Sequence, residues 1–241
     1  MTKAFLTASW KNLLMANYAV SPDVLQPYLP PHTELDFFED HCYVSLVGFL
    51  FDDVRLRGYR IPFHARFPEV NLRFYVHRKT ATGELRRGVV FISEIVPRFA
   101  IAWVANTFYQ EKYISTSMAF NFSNSNNQLH WSYYWKWKNQ QNHITANLVN
   151  AANPIKAGSK EEFIFEHYYG YAKAANNVCN EYEVSHPSWN IYPVDSFSIN
   201  CDFSAQYGRQ FSYLNDVAPA SVFAAEGSPV IVRSKTVINN R

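Results

Sequence analysis

The sequence predicts an α+β fold dominated by antiparallel β-sheet, curved or closed around an interior, with a few helices inserted. Three observations predict it. Strand-like segments follow one another along much of the chain, one of them alternates apolar and polar side chains almost without exception, and helix-like stretches are few.

The strand-like segments are "CYVSLVGFLF" (42–51), "VNLRFYVHR" (70–78), "GVVFISEIV" (88–96), "LHWSYYWKWK" (129–138), "HITANLV" (143–149) and "SVFAAEGSPVIVR" (221–233). The fourth places Trp131, Tyr133, Trp135 and Trp137 on one face and His130, Ser132, Tyr134, Lys136 and Lys138 on the other, the signature of an antiparallel sheet with one wet face. A short helix is expected in "SPDVLQPYLPP", with Ser21 as N-cap, Pro22 at the first helical position, Asp23 in the first turn and Pro30-Pro31 as terminator. Two more helices are expected in "RFAIAWVANTFYQ" (98–110) and "CDFSAQYGRQFSYLND" (201–216), the latter weakened by Gly208.

No repeat and no Pro-, Gly- or Ser-rich linker divides the 241 residues, so a single domain over 1–241 is expected. Aromatic residues make up 17% of the chain, which should give a core and any pocket rich in rings. A formal charge of +2 is too small and too dispersed to suggest a nucleic-acid or membrane-surface partner. "YWKWK" interleaves rings and lysines as a single-strand stacking platform does, but a strand with Trp inward and Lys outward yields the same letters. Cys42, Cys179 and Cys201 form no CxxC spacing and are odd in number, which suits free thiols in a reducing compartment. With no leader-like segment and no apolar run of spanning length, a soluble cytoplasmic chain is expected.

Nucleotide-binding, serine-hydrolase and zincin motifs are missing: there is no GxGxxG after a strand, no GxxxxGK[ST], no GxSxG and no HExxH. The histidines show no metal-ligand spacing, so neither a metal nor another cofactor is expected. The informative stretch is "FPEVNLRFYV" (67–76). At strand period it sends Glu69, Asn71, Arg73 and Tyr75 to one side and Pro68, Val70, Leu72, Phe74 and Val76 to the other. The polar row is either the wet side of an amphipathic strand or the lining of a cavity.

Together with "WKNLLMANYAVSPDVLQPYLPPHTELDFFEDHCYVSLVGF", "FYQEKYISTSM", "YGRQFSYLND" and "SVFAAEGSPVIV", that stretch resembles the YqjF-like domain of unknown function, a bacterial family placed in the acetoacetate decarboxylase-like superfamily. The resemblance runs from about Trp10 to Val232. It implies a strongly curved antiparallel sheet closing into a cone-like barrel around an apolar cavity, and it implies that some polar strand faces point inward. In the decarboxylase a glutamate on the matching strand faces the active site, and Glu69 falls at that position.

The same resemblance exposes departures. The decarboxylase forms a Schiff base through a lysine in a Phe-Pro-Lys-Lys-like segment; here Lys112 falls at the proline and Tyr113 at the lysine. Lys112 has Glu111 beside it instead of a second cation, which favours the charged ammonium. Adjacent residues of an extended segment point to opposite faces, so Lys112 and Tyr113 cannot both enter one cavity. An arginine of the decarboxylase's N-terminal strand is matched by Ala19.

The candidate catalytic residues are therefore Glu69 and Lys112. The candidate ligand-binding residues are Asn71, Arg73, Tyr75, Tyr113 and Glu226: Arg73 for a substrate carboxylate or for fixing Glu69, Tyr113 for polarising a carbonyl, and Glu226 from a cavity-lining strand or a turn before Gly227. The expected function is a cytoplasmic protein with an internal pocket for a small organic acid, ketone or aromatic metabolite. The alternatives are a lyase or decarboxylase-like enzyme using Glu69 and Lys112, and a non-catalytic structural domain; homo-oligomerisation stays open.

Overall fold

The computed structural model describes residues 3–97, 112–175 and 177–239. The helix expected over 98–110 lies outside them. The first strands are β1 (Ala4–Val20), β2 (Glu34–Leu35), β3 (Cys42–Leu56), β4 (Tyr59–Arg60), β5 (Phe67–Lys79), β6 (Leu85–Val96), β7 (Tyr113–Ser115), β8 (Met118–Ser125), β9 (Gln128–Trp137) and β10 (Gln140–Val149). They are followed by β11 (Asn153–Pro154), β12 (Tyr169–Ala175), β13 (Val178–Ser185), β14 (Asn190–Tyr192), β15 (Val194–Asn200), β16 (Ser221–Arg233) and β17 (Thr236–Asn239). All six segments read as strands from the sequence are strands.

The sheet is mostly antiparallel, as expected, and strongly curled. Strands pair in the order β16-β1-β3-β5-β6-β12-β13, and β13 pairs again with β16 through Val184↔Val232 and Ser185↔Ile231, so the hydrogen-bonded path returns to its start. Two short parallel pairings interrupt the antiparallel pattern, β6 with β12 and β6 with β7. A second, antiparallel sheet in the order β15-β10-β9-β8 covers part of the outside.

That second sheet explains the apolar side of β5. Val70, Leu72, Phe74 and Val76 share one buried cluster with Trp131, Tyr133 and Trp135 of β9 and with Ile144, Ala146 and Leu148 of β10. The alternate residues of β3, Tyr43, Val47, Phe49 and Phe51, belong to a second cluster inside the curled sheet. Both faces of these central strands are dry, and no row of β5 is its wet side.

Gly48 marks the closest approach of the two sheets. A Cβ there would lie 2.6 Å from the Tyr133 ring, whose hydroxyl is tied to Asn12 O at 2.7 Å. The ring cannot step aside without breaking that bond, so Gly48→Ala should lower stability by ~1–3 kcal/mol. Urea denaturation checks it, with an unchanged midpoint counting against this packing.

The α-helices among the described residues are short: α1 (Pro22–Leu25), α2 (Lys160–Phe165) and α3 (Phe203–Tyr207). Ser21 is the N-cap of α1 in extended conformation, and its side chain makes no cap hydrogen bond. The helix expected over 201–216 breaks at Gly208, whose φ of 114° leaves the helical region, and continues as a 3-10 turn over Arg209–Asn215. Cys42, Cys179 and Cys201 are buried free thiols. Among the described residues no helix is long and apolar enough to cross a membrane.

Candidate functional site

The interior of the curled sheet holds a cavity of about 220 Å³. Trp10, Phe49, Phe51, Phe67, Phe91 and Trp189 supply much of its apolar wall, and Glu69, Asn71, Arg73, Glu94 and Tyr113 supply a polar end. The polar row of β5 thus faces inward.

Three adjacent strands build the polar end. β5 contributes Glu69 and Asn71; Asn71 pairs with Glu94 of β6, and Glu94 pairs with Tyr113 of β7. Pro68 pairs with Leu50 of β3 but lies beyond the β6 pairings, which begin at Val70↔Ile95, so it has a strand neighbour on one side only. Between Leu72 and Arg73 the register shifts: Leu72 faces Ser93, while Arg73 faces Phe91. This bulge absorbs one residue of β6, so Phe91 and Glu94, three apart, both reach the cavity, while Ile92 and Ile95 both reach the outer core.

Glu69 is buried at 2% exposure. Asn71 Nδ2 donates to its Oε1 at 2.9 Å and the Tyr113 hydroxyl donates to its Oε2 at 3.1 Å. Burial pushes the carboxyl up to about 7, against the lowering effects of Asn71, Tyr113 and the Arg73 charge. Tyr113 itself is driven well above its ordinary value by burial and by the neighbouring carboxylates of Glu69 and Glu94, and it also hydrogen-bonds Glu94. A phenol carries one proton and can donate it to one carboxyl only. Full hydrogen bonding of the trio therefore needs one of the two carboxyls to be protonated and to donate to the phenol oxygen, which is consistent with the raised proton affinity of Glu69.

Arg73 Nη2 donates to Ile164 O at 3.4 Å, and its guanidinium lies 5.7 Å from the Tyr75 ring centre. Two buried polar atoms here, Asn71 Oδ1 and Arg73 Nε, have no hydrogen-bond partner among the described residues.

The other sequence candidates fall elsewhere. Tyr75 stands behind the cavity wall, with its hydroxyl 2.6 Å from Ser45 Oγ, which in turn donates to Asn17 Oδ1. Lys112 departs from the expectation of a catalytic amine beside Glu69: its Nζ lies 4.9 Å from the Tyr28 ring centre, and it lines a separate pocket with Ser93, Gln206 and Tyr207. The reason is the strand alternation at β7, which turns Tyr113 to the cavity and its predecessor away from it. Glu226 is exposed and accepts from Asn190 N at 3.2 Å and Asn190 Nδ2 at 2.9 Å, so it too lies outside the cavity.

Sequence reasoning missed Glu94 and the cavity-lining histidines His64, His167 and His186. A lone acid inside the apolar run "GVVFISEIV" was a usable signal for Glu94; no comparable signal marked the histidines. Among the described residues no group of three or more His, Cys, Asp or Glu side chains is placed to hold a metal ion.

The family model DUF2071, described as an uncharacterized conserved protein, matches residues 7–229. The chain belongs to the DUF2071 family. It is 25% identical over 197 residues to the uncharacterized protein YqjF of Bacillus subtilis (strain 168), an alignment covering 80% of this chain and 77% of YqjF.

Solved structures with the fold of this DUF2071 chain include acetoacetate decarboxylase from Legionella pneumophila, with a TM-score of 0.66 at 13% identity, covering 98% of this chain and 88% of that one. The enduracididine biosynthesis enzyme MppR complexed with pyruvate superposes with a TM-score of 0.68 at 10% identity, covering 98% and 91%. An acetoacetate decarboxylase-like enzyme from Sphingomonas wittichii RW1 gives 0.66 at 10% identity, covering 99% and 95%. At such identities the likeness shows the acetoacetate decarboxylase-like fold and leaves the chemistry of the DUF2071 site to be argued from its own residues.

Proposed function

We propose that this chain binds a small carbonyl-bearing organic acid in its ring-lined cavity and moves a proton on it through Glu69. The observation that carries this reading is the Glu69 carboxyl, buried between Asn71 and Tyr113 and with a proton affinity near neutrality. A general acid–base group works best when its pKa lies near the ambient pH, where both protonation states are populated. Tyr113 supplies a phenol that stays protonated and, once Glu69 has taken up a proton and no longer needs its hydrogen bond, can turn to donate to a developing enolate oxygen. Arg73 supplies the positive charge for a ligand carboxylate, and the rings around the cavity favour an apolar or aromatic remainder. A neighbour of the same fold has been solved with pyruvate, itself a small carbonyl acid.

Imine chemistry is disfavoured by the cavity's composition. Among the described residues no lysine lines it, the sequence has none at 98–111, and Lys112 lines the other pocket. Borohydride treatment in the presence of acetoacetate or pyruvate is expected to leave Lys112 unmodified by peptide mass analysis. A substrate-dependent adduct there would overturn the acid–base reading in favour of a Schiff base.

The direct test follows exchange of the carbon-bound protons next to the carbonyl of pyruvate and phenylpyruvate in D₂O by proton NMR. The native protein should accelerate exchange, and Glu69→Gln should lower that acceleration by roughly 10²-fold or more while retaining binding. Saturable binding with no exchange would identify a non-catalytic binding protein. Equal exchange by native protein and variant would remove Glu69 from the role.

A further inference from the structure

A second polar locus borders the same cavity. His167 lies between α2 and β12, its side chain 1% exposed, with its ring packed 4.9 Å from that of Tyr75 and 5.2 Å from that of Phe163. Its Nε2 is 3.1 Å from Asp36 Oδ2, an oxygen that also accepts from Arg87 Nε at 2.7 Å. Burial alone would raise the Asp36 carboxyl, but hydrogen bonds from His167 and Arg87 hold it far below its ordinary value, so Asp36 is ionised. An ionised carboxylate has no proton to give. The hydrogen of the Asp36–His167 bond therefore sits on Nε2.

Burial disfavours the imidazolium and lowers the His167 pKa. The ionisable groups around the ring are Asp36, Arg87 and Arg73, with His77 3.8 Å beyond on the other oxygen of Asp36. A neutral ring with hydrogen on Nε2 leaves Nδ1 as a bare lone pair. Nδ1 is buried with no hydrogen-bond partner among the described residues, a costly state for an unpaired acceptor.

Arg73 shares this wall. Its guanidinium packs on the same Tyr75 ring, and its Nε is likewise buried and unpartnered among the described residues. One unused acceptor and one unused cationic donor thus flank a single aromatic side chain.

We propose that the ligand carries a hydroxyl group beside its carboxylate, the hydroxyl donating to His167 Nδ1 and the carboxylate accepting from Arg73. The ligand class is a small 2-hydroxy acid or the enol form of a 2-oxo acid. The inference rests on the reading of the cavity as an organic-acid site and narrows it; Asp36 acts as a positioning residue that sets the tautomer of His167.

The test has a ligand-free arm and a binding arm. Long-range nitrogen-15 NMR of the native protein should show His167 neutral, with Nδ1 unprotonated; a protonated Nδ1 overturns the proposal outright. Calorimetric titration should then give 3-phenyllactate a Kd ~10-fold or more below that of 3-phenylpropionate, which lacks the hydroxyl. In His167→Leu the acceptor at Nδ1 is gone and no new one replaces it, while Arg87 still donates to Asp36. The preference should fall to within about 2-fold in this variant, with the Tm showing that it folds. A preference of equal size in both proteins overturns the hydroxyl recognition and leaves the acid-binding cavity standing. Failure of both acids and of phenylpyruvate to bind the native protein overturns this inference together with the reading beneath it.

Discussion

Glu69→Gln should remove the contribution of this carboxyl that destabilises the folded protein as the pH rises from about 4.5 to 7. The ordinary value for this carboxyl is 4.5, and burial lifts it in the folded chain to about 7. Between those values the folded protein holds a proton that the unfolded chain has already released. Raising the pH therefore favours unfolding: the stabilisation linked to this proton is complete below pH 4.5 and is lost as the pH passes through 7. A shift of this size corresponds to about 3 kcal/mol at full expression. Glutamine keeps the shape, accepts from Tyr113 or Asn71, and has nothing to titrate.

Other groups act in neighbouring or overlapping windows. Asp36, lowered in the folded state, loses its contribution only as the pH falls below its ordinary 3.8. His143, His167 and His186 are lowered from 6.5 by burial, so their contributions grow as the pH rises through that value, opposite in sign to that of Glu69. The decisive measurement is the difference between native protein and variant in urea-unfolding free energy at pH 4.5 and pH 7.5, in which the histidine contributions cancel. Parallel pH profiles would mean that Glu69 titrates in the folded chain as it does in the unfolded one.

Trp135→Ala is the substitution expected to cost most stability, about 3–5 kcal/mol. Trp135 is fully buried between the small sheet and the curled one, among the cluster that includes Leu46, Leu72 and Phe203. Its Nε1 donates to Gln206 Oε1 at 2.8 Å, so truncation also strands a buried amide oxygen. The same change exposes the outer face of β5, whose inner face carries Glu69 and Asn71. Chemical denaturation should show the loss directly, and a fall in Tm of roughly 10 °C should accompany it. A loss below about 1 kcal/mol would mean that the two sheets are not held together by this ring. Trp135→Phe, which keeps an aromatic side chain but loses the donor, should fall between native protein and alanine variant.

The period of β5 was readable from its letters, and so was the partition of its side chains into two rows. Which row faces the cavity was not. An alternating strand reads the same whether its polar face meets water or a closed interior, and the answer came from β8–β10 and β15 folding over the apolar row. Tyr113 and Lys112 followed a local rule, that neighbours on a strand diverge, but the choice of which one enters the cavity depended on the parallel pairing of β7 with β6.

Glu94 shows how a single irregularity defeats a periodic reading. Strict alternation separates it from Phe91, and the bulge opposite Leu72 and Arg73 brings both to the same side. His167 and Asp36 are 131 residues apart, and no spacing in a sequence encodes a contact made by closing a curled sheet.

The sequence by itself thus determined the six strands it named, their two-residue period, the ring-rich interior and the family to which the chain belongs, because these follow from local patterning and residue type, whereas strands such as β1, β8 and β13 were not read from it. Only the tertiary structure decided which faces are buried, which acids flank Tyr113 and which amine is left outside, because those depend on pairings between strands far apart in the chain.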